Sequence, residues 1–113
     1  MYPLILHAGL SCDKWFAYSR GRQLLMIANE LNRAHNWIEK DQVFEVNMCY
    51  ERAFELIDLT LGDKKWRGRF KELLRLREVM AEMYVSDTKD IKINQALYHS
   101  VIGMSWESYN LFY

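Results

Sequence analysis

The sequence predicts an all-α protein, an up-down antiparallel four-helix bundle with a short extended N-terminal arm. Three observations carry this. Apolar residues recur at helical spacing along most of the chain, the single proline, Pro3, precedes all of those rows, and no Asn-Gly or Asp-Gly dipeptide marks a hairpin. At 113 residues, 50% apolar and 27% charged, the chain closes one hydrophobic core and has little left for a second, so residues 1–113 are expected to form one domain.

Residues 1–10 read as the arm. They are apolar but lack a positive n-region, and the apolar run is short for a signal peptide. Leu10-Ser11-Cys12 resembles a lipoprotein cleavage site, yet Gly9 stands where a leucine is wanted, so an ordinary arm is expected. The first helix runs from Ser11, its cap, to about Glu39, with Asp13 adding favourable charge to the first turn. Ala17, Leu24, Leu31 and Ile38 fall on one line, flanked by Ile27, Ala28 and Ala34, with the polar Arg20 and His35 close beside it. Continuing that line lands on Glu45 and Arg52, so the chain is expected to turn at Lys40-Asp41, with Asp41 as the next cap, rather than to run on through a strong bend.

The second helix, about 42–61, aligns Val46, Cys49, Tyr50, Ala53, Leu56, Ile57 and Thr60, with Glu51, Glu55 and Asp58 almost opposite as a solvated acidic face. Gly62 stops it and Asp63 opens a third, about 64–85, with Trp66, Phe70, Leu73, Leu76, Met80 and Tyr84 on its inner line. After the polar connection 86–90, a fourth helix of about 90–109 aligns Leu97, Val101 and Met104. Gly21 and Gly103 are expected inside helices.

Composition restricts function. Formal net charge is +0, so there is no global electrostatic case for nucleic acid or an anionic membrane, and no window approaches the ~18 apolar residues of a membrane span. Cys12 and Cys49 stand far apart, without a CxxC, and read as reduced thiols of a cytoplasmic protein. No histidine has a glutamate three residues before it, so the Glu-x-x-His ligands of a bundle metal site are missing; His35-x3-Glu39 is at most half a site, and no metal or cofactor is expected. Cys49 lies within a helix, where nothing activates its thiol, and no phosphate loop or nucleophile elbow appears, so no catalytic residue is assigned.

Up-down topology gathers Arg20, Arg69, Thr60, Ser105 and Ser108 at one end of the bundle. Arginine forks and hydroxyls suit phosphate or carboxylate, which makes this a candidate anion pocket. The plain alternative is that the arginine stems cover apolar surface or pair with acids, and the serines bond to their own helix. The run Lys64-Lys65-Trp66-Arg67-Gly68-Arg69-Phe70-Lys71 has the composition of a nucleic-acid grip, but Trp66 and Phe70 coincide with the core line, so nucleic acid is not expected as a partner. Bulk off the core lines, at Trp15, Trp37, Phe54, Leu61, Ile102 and Tyr109 with Val43, reads as an interface, and a homodimer is expected.

Met48-Cys49-Tyr50-Glu51-Arg52-Ala53-Phe54-Glu55-Leu56 resembles a helix of HEPN-type proteins, over this one helix of the chain. The resemblance implies a helical bundle and a role as partner of a minimal nucleotidyltransferase, or a ribonuclease carrying an arginine, four to six intervening residues, then a histidine. Neither His35 nor His99 has that arginine, so the ribonuclease branch is not carried over. The favoured reading is a non-catalytic interaction module that binds a partner protein or a small anion near Arg20 and Arg69. The alternatives are the HEPN-like partner role and an enzyme whose bundle cavity is lined by His35, Arg77 and Tyr98.

Overall fold

A computed structural model describes His7 and residues 9–104. These residues form five α-helices, with no strand among them: α1 (Cys12–Ala17), α2 (Arg20–Glu39), α3 (Val43–Leu61), α4 (Phe70–Val85) and α5 (Ile91–Ile102), with a 3-10 helix, Lys64–Arg69, leading into α4. The four long ones make the predicted bundle. Each packs on its two neighbours around a square, in the order α2, α3, α4, α5.

The first predicted helix is two. Ser11 caps α1 as expected, its hydroxyl accepting from the Lys14 amide at 3.1 Å. The helix then stops at Tyr18, and Ser19 caps a new one by accepting from the Arg22 amide at 3.2 Å. In a continuous helix the Trp15 carbonyl would take the Ser19 amide. Here it accepts from the Tyr18 amide at 3.1 Å and from the buried Gln23 side chain at 2.8 Å. Ala17 leaves the apolar line and is exposed, whereas Trp15 turns inward and is fully buried.

The turn at Lys40-Asp41 is present, but Asp41 is not a cap. It takes a left-handed backbone, φ 56°, a conformation that aspartate tolerates better than most residues. Gln42 holds the cap position of α3 without a side-chain bond. The predicted inner row of α3, from Val46 to Thr60, is buried without exception. Asp63 opens the next segment, accepting from the Lys65 amide at 3.1 Å, although the first turns are 3-10 rather than α. Lys89 closes α4, its ammonium donating to the carbonyls of Met83 (2.6 Å), Tyr84 (2.9 Å) and Ser86 (2.7 Å), where cationic charge suits the helix dipole. Asp90 caps α5, whose last residue is Ile102, so Gly103 stands as its C-cap instead of inside it; residues 105–109, over which the fourth helix was expected to run on, lie outside the described residues.

The acidic row of α3 is not the solvated face expected of it. Arg77 of α4 grips Asp58 with both ends of its fork (2.8 and 3.2 Å), the Tyr84 hydroxyl donates to Glu51 at 3.2 Å, and His7 meets Glu55 at 2.8 Å. This row therefore faces α4 and the end of the arm. None of the helices among the described residues is long and apolar enough to cross a membrane.

Candidate functional site

The structure brings together part of the predicted anion end. The guanidiniums of Arg20 and Arg69 each lie 5.9 Å from the centre of the buried Trp66 ring, within cation-π range. Both are also engaged elsewhere. Arg20 Nε donates to the Lys65 carbonyl at 3.2 Å, and Arg69 donates to the Met104 carbonyl and to Glu72, each at 2.6 Å. The Arg69 hydrogen bonds hold the Glu72 carboxyl below its ordinary range. Thr60 does not join them. It is fully buried, its hydroxyl donating to the Leu56 carbonyl at 2.7 Å and accepting from the Trp15 indole at 3.1 Å, so it cannot reach a solvent anion. Ser105 and Ser108 lie outside the described residues.

The predicted interface also divides. Trp15 is fully buried because the break at Tyr18-Ser19 swings it under α3, and Ile102 is fully buried at the end of α5, a helix that packs against both α2 and α4. Neither can meet a partner. Trp37, Phe54 and Leu61 are half-buried against the core. Phe54 is also covered from α4, edge-on to Tyr84 with ring centres 5.8 Å apart and beneath the Arg77 guanidinium at 5.1 Å. Tyr109 lies outside the described residues. Val43 is exposed, as its position off the core line implied.

His35 and Tyr98 share a cavity of about 210 Å³ with Asn32, Asn94, Gln95 and His99. Arg77 is not part of it, being held at Asp58. His35 pairs with Glu39 at 3.3 Å, and among the described residues no three histidine, cysteine or acidic side chains converge to hold a metal ion. Both cysteines are buried and free. Burial pushes the Cys49 thiol up in spite of the opposing Arg52, which leaves it a weak nucleophile at neutral pH.

Three buried polar groups escaped the sequence reading. Gln23 donates to the Trp15 carbonyl and to Asp63 (2.8 Å each) and accepts from the Trp66 indole at 2.7 Å, locking α1, α2 and the 3-10 helix together. Glu30 accepts from Arg33 and Arg52 at 2.7 Å each. Asn94 links Tyr50 to the Leu31 carbonyl. Gln23 and Glu30 flank the apolar line of α2, Asn94 sits one turn before Leu97, and that adjacency was the only signal available. Each is bonded to groups on neighbouring elements.

Concave surface is concentrated on the wall made by α4 and α5, where the packing between neighbouring long helices is thinnest. A groove of about 500 Å³ runs between them, with the buried Leu76 and Leu97 at its base, Val79 and Met104 beside them, and Glu72, Arg75, His99 and Ser100 at the rim. A second trough, also about 500 Å³, follows the outward face of α4 and shares Arg75 and Val79 with the first. Such a surface offers area and charge to a partner, and places no cluster of reactive groups around a bound molecule.

The chain matches no protein-family model, and no curated protein or solved structure is significantly similar to it.

Proposed function

We propose that the chain is a helical interaction module that acts by contact with another protein through the wall formed by α4 and α5. The observation that carries this is the long groove floored by Leu76 and Leu97 and rimmed by charge, which has the form of a seat for an amphipathic segment. The partner role implied by the HEPN-like helix is one version of the same reading. A photo-crosslinking residue placed at Val79, compared with one at the exposed Asn29 on α2, tests it in the cell. Crosslinking to protein from Val79 but not from Asn29 is expected. Equal crosslinking from both, or none from Val79, contradicts the reading.

A second reading is favoured by the placement of Arg20 and Arg69 each 5.9 Å from the centre of one ring, Trp66: a small anion bound by the two guanidiniums. It has to displace the Lys65 and Met104 carbonyls that now satisfy them. Calorimetric titration with inorganic phosphate, on the wild type and on Arg20→Ala, tests this. Binding that Arg20→Ala weakens supports it, and equal non-binding removes it.

A further inference from the structure

The outward face of α4 carries an ordered row of charged and apolar residues. Lys71, Leu74, Arg75, Glu78, Val79 and Glu82 line one trough, at the spacing of a single helical stripe. Leu74 is 52% exposed, and the four charged residues are all exposed. Among the described residues, none of these four charges is in an ion pair. Arg77, the neighbouring arginine, is turned the other way, to Asp58.

The order of the charges along the stripe is unfavourable for an isolated helix in two respects. Lys71 and Arg75 stand near its N-terminal, positive end, while Glu78 and Glu82 stand towards its C-terminal, negative end, the reverse of what the helix dipole favours. Like charges also sit four apart, Lys71 with Arg75 and Glu78 with Glu82, where they repel. Both defects become favourable against a second, antiparallel α4. The stripe is symmetric in kind about a point midway between Leu76 and Arg77. A two-fold axis there sets Lys71 against the partner's Glu82, Arg75 against the partner's Glu78 and Leu74 against the partner's Val79, and each pairing occurs twice. The two dipoles then run antiparallel as well.

We infer that α4 pairs with α4 of a second copy of this chain, antiparallel, to form a two-fold symmetric homodimer. This rests on the reading of the α4 and α5 wall as the contact surface, and it names the occupant. A single helix pair about 24 Å long covers on the order of 300 Å² per protomer, well under the ~800 Å² of a standard interface, so the pairing is a reversible one whose extent depends on concentration. Charge attraction supplies its register and its selectivity for itself over other helices.

Sedimentation equilibrium over the micromolar range tests the inference with two variants. Glu78→Lys with Glu82→Lys makes the stripe wholly basic; Lys71→Glu with Arg75→Glu makes it wholly acidic. The wild type is expected to move from 13.6 kDa towards twice that mass as concentration rises. Each variant alone is expected to raise the dissociation constant at least tenfold, and an equimolar mixture of the two to dimerise at least as well as the wild type. Circular dichroism checks that both remain helical. Should either fail to fold, the salt dependence of the wild type decides: added salt must weaken the dimer. A wild type monomeric at every concentration, a dimer that both variants leave unchanged, a mixture that stays monomeric, or a salt-insensitive dimer each overturns the inference. Crosslinking from Val79 to a different protein, with no self-association, removes the homodimer and leaves the interaction reading standing; no crosslink from Val79 to any protein removes both.

Discussion

The Tyr50 hydroxyl of α3 donates a 2.8 Å hydrogen bond to Asn94 Oδ1 of α5, joining two helices that lie diagonally across the bundle. The Asn94 amide passes the link on to the Leu31 carbonyl of α2 at 2.9 Å, all within the buried interior. Burial also pushes the Tyr50 phenol far above its ordinary range, so the group stays a donor. Asn94→Ala leaves the hydroxyl without its acceptor and is expected to cost about 2–3 kcal/mol of unfolding free energy, and Tyr50→Phe about 1–2 kcal/mol. In a double-mutant cycle followed by urea denaturation, the combined cost should fall short of the sum, because both changes break one bond. Additive costs would show the link to be energetically idle.

Gln23 makes three hydrogen bonds in the interior. Gln23→Leu keeps approximate volume but strands the Trp66 indole and removes one of the donors to Asp63, which keeps Lys65, and about 2 kcal/mol of destabilisation is expected. Because Gln23 also fixes the corner between α1 and α2, protease cleavage near Tyr18-Ser19 should accelerate before the rest of the bundle opens. Uniform loss of protection along the chain would contradict this.

Asp63 sets an acid limit. Burial raises its carboxyl, but the hydrogen bonds from Lys65 and Gln23 outweigh burial and hold it below the ordinary value. Between the folded and the ordinary value the unfolded chain binds the extra proton, so the contribution is complete above pH ~4 and disappears as pH falls through the folded value. Asp63→Asn should therefore be less stable at neutral pH and lose less stability on acidification. Parallel stability curves for the two proteins between pH 5 and 2, measured by urea denaturation, would count against the assignment.

Glu30 separates two arginines that look alike in the sequence. Its carboxylate is 3% exposed, Arg52 is 27% exposed and Arg33 is 62% exposed. Arg33→Ala should change stability by under about 0.5 kcal/mol, as exposed partners usually do, whereas Arg52→Ala should cost about 1–2 kcal/mol because it uncovers one side of a buried charge. Thermal unfolding of the two variants distinguishes them, and equal effects would refute the ranking.

The rows on the helices were legible because period and burial coincide: Val46 to Thr60 on α3, and Leu24 to Ala34 on α2, are buried as their spacing demands. The break at Ser19 was not legible, because a serine followed by Arg20 and Gly21 costs a helix too little to mark its end, and what decides the matter is the Gln23 side chain competing for a carbonyl. That one competition carried Trp15 from the predicted surface into the core. That Arg20 and Arg69 both reach Trp66 followed from topology alone, since both stand at the start of helices at the same end. Thr60 followed the same topology but was claimed by Trp15. The charge order of α4 was present in the letters as a basic first half; its meaning needed to know that Arg77 turns inward while Lys71, Arg75, Glu78 and Glu82 share the outer face.

Whether the α4 wall meets a partner can be read directly by carbene footprinting of apolar surface side chains, in the cell and in dilute purified protein. Leu74, on the stripe, is 52% exposed, while Phe44, on α3 and off it, is 73% exposed. The account predicts that Leu74 and Val79 are protected in the cell while Phe44 remains labelled. Protection at Phe44 with Leu74 labelled alike in both settings would contradict it.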